Sequence, residues 1–212
     1  LAERCAHVAV VDEKDENLVV NQKMNETYTN ISYIKAADFQ KMENDLKEGK
    51  YDLVVLRSDC PEMDIKTIFT QAAAYLSEKG RLIFACENAL GLNFLSGAVH
   101  DEDETAFTKG ELEEAFKEAG LSQVEFYYPM PEYKRAVSVY SDRYLPGKGD
   151  IPHVTAVYDR QRWACIHEDE ISDKLVQEKA FDLFSNAYLA VASKGADSFK
   201  AVFAKYNRTR KE

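Results

Sequence analysis

The sequence predicts a doubly wound α/β fold built on a mostly parallel sheet. Three observations point there. Short β-branched runs alternate with amphipathic stretches through the first half of the chain, the order expected of parallel strands connected by helices. The runs VAVVD, ISYIK, YDLVVL and RLIFAC are mostly apolar, as strands covered by helices on both faces should be. Glycines stand where helical stretches give way to strands, at Gly49, Gly80 and Gly120.

Taken in order, Leu1–Cys5 reads as the last turn of a helix and His7–Val11 as a buried strand ending at Asp12. A helix over Glu16–Asn25 carries Leu18, Val19 and Met24 on a helical period, and a second strand follows at Ile31–Lys35. Asp38 then leads into a helix through Phe39–Glu48, and Tyr51–Leu56 is the third strand. Asp64–Ser77 is expected to be helical, with Ile65, Ile68, Phe69, Ala72 and Leu76 on one side and Gly80 ending it before a fourth strand, Arg81–Cys86. Asn88–Gly97 is a segment punctuated by Gly and Asn, and the acidic run Asp101–Glu104 reads as a solvated loop. Thr108 and Glu111 have the capping-box spacing, with Leu112, Phe116 and Ala119 supplying the apolar face of the helix they open. The next strand is Gln123–Tyr128. Residues 129–170, rich in Pro, Tyr, Arg and Asp, read as an insertion with a short strand at Ala136–Tyr140 and a turn near Lys148. A helix at Ser172–Phe181 and a strand at Ala187–Ser193 close a domain spanning 1–198. Residues 199–212 form a basic tail leading to a further segment.

Composition narrows the classes. With 45% hydrophobic and 30% charged residues and no apolar run near the roughly 20 residues a bilayer requires, a soluble protein without a membrane span is expected. A formal net charge of -10 argues against nucleic acid as a partner, because phosphate binding draws on clustered Lys and Arg. Cys5, Cys60, Cys86 and Cys165 show no paired or zinc-like spacing and are expected as free thiols in a reducing, cytoplasmic setting. Cys86, inside RLIFACEN, is expected to be a buried small hydrophobe. His7, His100, His153 and His167 form no ligand pair, so no metal site is expected. The start LAERC has neither an initiator Met nor a signal-peptide layout, and the reading is that the chain begins inside an element.

In doubly wound folds ligands bind at the carboxyl ends of the strands, so the polar residues there are the candidates. Asp12 closes the first strand, where a carboxylate can accept hydrogen bonds from vicinal ribose hydroxyls or cap its own helix. Asp38, with Phe39 as apolar cover, can approach an adenine amino group or serve as an N-cap. Arg57, Ser58 and Asp59 follow the third strand, and Glu87 and Asn88 follow the fourth. Each can serve a site or be a loop charge or cap. The aromatic run from Tyr127 through Tyr128 and Tyr133 to Tyr144 can line a sugar- or aglycone-sized pocket or pack a core.

The order VAVVD, ISYIKAADF, YDLVVLRS and GRLIFACEN resembles the second to fifth strands of class I S-adenosylmethionine-dependent methyltransferases. GRLIFACENALGLNFLSG, FTKGELEEAFKEAGL and FYYPMPEYKRAVSVYSDRYLP look like a bacterial group of these found with surface-polysaccharide glycosyltransferases, and FDLFSNAYLAVASK is similar to its antiparallel final strand. The resemblance implies a Rossmann-like three-layer sandwich whose last strand lies antiparallel between the strands at Arg81–Cys86 and Gln123–Tyr128. It implies S-adenosyl-L-methionine as cofactor, with Asp12 on its ribose, Asp38 and Phe39 on the adenine side, and Arg57 and Ser58 nearby. Methyl transfer needs mainly positioning and at most a base, for which Asp59 or Glu87 is suited. Asn88, Tyr128 and Tyr133 fall on the substrate side. The family's first strand and its E-x-G-x-G-x-G loop should precede LAERC and are not among these residues, so methyl transfer by residues 1–212 alone is not expected.

The implied acceptor is a glycan or nucleotide-sugar-linked intermediate, with a glycosyltransferase as partner or fused domain. A noncatalytic Rossmann-like module that organises a glycosyltransferase assembly is the alternative. A nicotinamide-dependent oxidoreductase would share the fold, but no hydride-transfer Tyr/Lys or His constellation accompanies it.

Overall fold

The structure is a computed structural model that describes residues 1–35, 51–58, 64–99, 104–151 and 166–195. The chain divides into two compact units, residues 1–48 and 49–212. In the first, β1 (Val8–Asp12) and β2 (Ile31–Lys35) pair in parallel with Val8 opposite Ile31 and Asp12 opposite Lys35. A parallel pair needs a crossover, which α1 (Asp15–Met24) supplies. Asp15 and Glu16 in its first turn complement the helix dipole. Of its apolar residues only Leu18 is buried, while Val19 and Met24 are exposed. Leu1–Cys5 is a turn closed by Arg4 N and Cys5 N on Leu1 O, and Asn30 Nδ2 holds it by donating to Ala2 O and Cys5 O. The predicted helix through Phe39–Glu48 lies outside the described residues, as does the basic tail 199–212.

The second unit runs β3 (Tyr51–Arg57), α2 (Ile65–Tyr75), β4 (Leu76–Glu87), α3 (Leu92–Leu95), α4 (Lys109–Glu118), β5 (Gln123–Met130), β6 (Ser138–Ser141), α5 (Glu168–Gln177), α6 (Phe181–Phe184) and β7 (Ala187–Ser193). Its sheet has the order β3-β4-β7-β5-β6. β3 and β4 are parallel, and β7 runs antiparallel to both β4 and β5, with Phe84 opposite Ala190 and Ala190 opposite Phe126. The last strand therefore sits in the place expected for it. It fits because Ala187, Ala190 and Ala192, all fully buried, leave room for aromatic rings from both neighbours.

Those rings build the core beneath α2 and α4. Phe69 stacks on Phe116 at 4.3 Å and meets Phe84 edge-on at 5.0 Å, while Phe126 meets Tyr188 edge-on at 5.8 Å. Each such buried side chain contributes about 1.5–3 kcal/mol of transfer free energy. The capping box is formed as predicted: Thr108 accepts from Glu111 N, and the Glu111 carboxylate accepts from Thr108 N at 2.8 Å. Gly120, at φ 74°, ends α4.

Two elements differ from expectation. α2, capped by Asp64, stops at Tyr75, and β4 already begins at Leu76, so Gly80 does not terminate the helix. Instead it lies in an irregularity where the β3–β4 register shifts between Tyr51 and Leu53, and a Cβ there would stand 2.7 Å from Tyr51 O. The helix expected at Ser172–Phe181 is two helices, α5 and α6. They are separated by a turn in which Lys179, at φ 59°, takes the left-handed conformation usually given to glycine. The strand expected at Ala136–Tyr140 is β6, joined to the sheet edge by pairing with β5, which itself extends to Met130.

Candidate site at the carboxyl ends of β3 and β4

β3 and β4 end side by side because they are parallel, with Arg57 opposite Ala85. Ser58 N continues the ladder by donating to Ala85 O at 3.1 Å, and the Ser58 side chain is fully buried. Residues 104–107 cross these strand ends. Thr105 N donates to Ser58 O at 3.0 Å and Phe107 N to Glu87 O at 3.1 Å, while the Phe107 ring packs 6.1 Å from Phe84. The strap is therefore stitched to both strands and anchored in the core.

Glu104, at the start of the strap, is not the solvated loop residue expected from the acidic run. Its side chain is 4% exposed. Its Oε1 accepts from the Tyr133 hydroxyl at 2.9 Å and pairs with Lys134 Nζ, whose ammonium lies 5.8 Å from the Tyr133 ring centroid. Such a carboxylate is tolerated inside only because charge and hydrogen bonds compensate its desolvation. Its Oε2 and the Ser58 Oγ are buried without a hydrogen-bond partner among the described residues. Burial first, then the carboxylates of Glu87 and Glu104, hold the Cys86 thiol well above its ordinary value of 9.0, which makes it inert as a nucleophile.

Of the residues singled out from the sequence, Ser58, Glu87 and Tyr133 are thus gathered at one end of the sheet, and exposed Arg57 ends β3 beside them. Glu104 and Lys134 were missed, because nothing in a sequence pairs a loop carboxylate with a lysine 30 positions on. Asn88 is fully buried and committed to structure: its Nδ2 donates to Leu183 O at 2.8 Å and Ser185 O at 2.7 Å, and its Oδ1 accepts from Leu90 N at 2.9 Å. Tyr128 belongs to another network. Lys109 Nζ donates to its hydroxyl at 2.9 Å, to Asp182 at 2.8 Å and to Asp142 at 3.3 Å, and the Tyr128 hydroxyl also contacts Asp142.

In the first unit, Asp12 ends β1 with Oδ1 accepting from Lys14 N at 2.8 Å and Oδ2 from Asn17 Nδ2 at 2.9 Å. Each oxygen retains a further acceptor position. Asp38, Phe39 and Asp59 lie outside the described residues. Among the described residues no group of three or more His, Cys, Asp or Glu is placed to hold a metal ion, and no helix is long and apolar enough to cross a membrane.

The GLNFLSG stretch, distinctive in sequence, forms a buried polar knot. Asn186 Oδ1 accepts from Asn93 N and its Nδ2 donates to Pro131 O, both at 3.0 Å, while the Ser96 hydroxyl lies between Asn93 O and Glu168. These bonds tie α3 to the approaches of β7 and α5.

No family model and no curated protein matches the chain. Solved structures do. A S-adenosylmethionine-dependent methyltransferase of Thermotoga maritima superposes with a TM-score of 0.54 at 12% identity, covering 88% of this chain and 72% of that one. A structure of the Haloferax volcanii Trm112 methyltransferase activator with its methyltransferase matches with a TM-score of 0.54 at 14% identity, over 90% and 73%. A S-adenosylmethionine-dependent methyltransferase of Archaeoglobus fulgidus matches with a TM-score of 0.51 at 10% identity, over 87% and 74%. The chain has the Rossmann-like methyltransferase fold.

Proposed function

We propose that this chain is a S-adenosyl-L-methionine-dependent methyltransferase domain acting on a glycan or nucleotide-sugar-linked acceptor in bacterial surface-glycan synthesis. The observation that carries the reading is that Ser58 and Glu87 end adjacent parallel strands and the strap beginning at Glu104 is bonded across both, through Thr105 N to Ser58 O and Phe107 N to Glu87 O, at the carboxyl ends where this fold class binds its ligands. The orphaned Ser58 Oγ and Glu104 Oε2 suit a ligand rich in hydrogen-bond donors. In this reading Asp12 meets the ribose hydroxyls, Asp38 and Phe39 the adenine side, and Arg57 and Ser58 the remainder of the cofactor. Glu87 or Asp59 takes the acceptor's proton, and Tyr133 lies on the acceptor side, with Asn88 and Tyr128 positioning the surrounding loops. The cofactor would supply an electrophilic methyl group on a sulfonium. Cytoplasmic location, a domain covering 1–198 followed by a tail, and a glycosyltransferase partner or fused domain belong to the same proposal.

A noncatalytic module is the second reading, favoured by Asp12 already serving its own helix. Calorimetric titration with S-adenosylmethionine and S-adenosylhomocysteine separates the two. The methyltransferase reading expects saturable binding that Asp12→Asn weakens about tenfold, since the amide keeps the acceptor for Lys14 N and loses the charge. Binding by the full-length chain but not by residues 1–212 fits the methyltransferase reading, whereas absence of binding to both supports the noncatalytic module and overturns the enzyme.

A further inference from the structure

The outer side of β5 is paired with β6 only from Tyr127 onward, where Tyr127 lies opposite Ser141. Before Tyr127 a turn takes over from the strand. The chain reverses over Asp142 and Arg143, with Ser141 N donating to Tyr144 O at 3.1 Å and Tyr144 N to Ser141 O at 2.9 Å. Pro146, which has no N–H, follows. Asp142 N donates to Phe126 O at 3.1 Å, and Asp142 Oδ2 accepts from Phe126 N at 3.0 Å, so one residue satisfies both outward backbone groups of Phe126. By strand alternation Val124 also turns its N–H and C=O outward, and no described strand faces them.

The tip holds β5 from both faces. Asp142 Oδ1 accepts from Lys109 Nζ and the Tyr128 hydroxyl on one face, while Arg143 Nε reaches the buried Glu125 carboxylate on the other at 2.9 Å. Val137, Val139, Tyr144 and Leu145 are exposed around it. An apolar sheet edge with outward N–H and C=O groups is a template for another strand. We propose that Asp142 and Arg143 form an edge guard whose release opens Val124–Phe126 to antiparallel pairing with a second copy of this chain. A two-fold centred on Val124 makes the segment its own complement and sets Gln123 of one copy against Glu125 of the other, a neutral amide beside a carboxylate.

The test combines sedimentation velocity across a range of concentrations with amide exchange. Asp142→Ala/Arg143→Ala is expected to speed exchange of the Phe126 amide at least about tenfold and to add a dimer, absent from wild type, whose share rises with concentration. Adding Val124→Pro removes the outward N–H without touching the ladder to β7, and should abolish that dimer. Asn88→Ala is the control for instability alone and should add none. A double variant that sediments as wild type does, a dimer that survives Val124→Pro, or a dimer formed equally by Asn88→Ala overturns the proposal. If the double variant does not fold, exchange in the wild type decides: a Phe126 amide much slower than that of Val124 supports the guard, and equal rates overturn it.

Discussion

Asn88 Nδ2 donates to Ser185 O across 2.7 Å, joining the loop after β4 to the entry of β7 although the residues are 97 positions apart. With its second proton on Leu183 O and Oδ1 on Leu90 N, the amide uses both donors and its carbonyl in a fully buried setting. Asn88→Ala therefore takes the side-chain partner from Leu90 N and from the buried Ser185 O, while Leu183 O keeps the Tyr188 hydroxyl at 3.3 Å, and the expected loss is about 2 kcal/mol. Urea unfolding measures it. A loss below about 1 kcal/mol would show that the loop repacks around the gap.

Gly91 precedes α3 inside the same knot, and its φ of -56° is open to any residue. What excludes a side chain is space. A Cβ would stand 2.6 Å from Asn93 Oδ1, 2.9 Å from Asn88 O and 3.3 Å from Asn186 Cα. Gly91→Ala is expected to destabilise by about 1–3 kcal/mol through overpacking, against the usual gain from replacing a glycine at compatible φ. An unchanged or raised melting temperature is the contrary result.

Lys179 occupies a left-handed position closing α5, with Lys179 N on Val176 O at 3.2 Å and Ala180 N on Leu175 O at 2.8 Å. Relief of its Cβ strain makes Lys179→Gly stabilising by about 0.5–1 kcal/mol after the glycine's own entropic cost. Lys179→Ala keeps the strain and should bring no gain. If both variants melt together, the turn is not strained.

Alkaline pH should loosen the Lys109 network. Burial would lower the Lys109 ammonium, but the hydrogen bond to Asp182 and the attraction of Asp142 and Asp182 hold it above its ordinary 10.5. Burial, then the hydrogen bond to Asp142, raises the Tyr128 phenol above its ordinary 10.0. In both cases the folded chain keeps a proton that the unfolded chain has lost, so this stability is complete below about pH 10 and falls as pH rises further. Tyr128→Phe should lower stability at pH 8 yet flatten the decline between about pH 10 and 11, read from urea midpoints. Parallel curves for wild type and variant would remove Tyr128 from the titration.

The local elements were legible because their causes are local. The apolar runs of β1 to β4, the Thr108–Glu111 box and the small, apolar AYLAVAS strand each carry their own signal, and the pairing of β7 between β4 and β5 agrees with the family resemblance. Ser58 and Glu87 could be nominated because strand ends can be located from a periodic pattern, and Tyr133 because it falls in the aromatic run after β5. Tertiary structure decided the rest. Gly80 stands in a strand irregularity because a carbonyl of β3 approaches it, and α5 breaks at Lys179 because Ala180 N reaches Leu175 O. Glu104 is buried because Tyr133 and Lys134 meet it after the chain has passed through α4 and β5. Sequence sets which groups repeat, cap and turn, and these are interactions over a few residues. Whether a carboxylate, a serine hydroxyl and a lysine share a site depends on which loops the sheet order brings together.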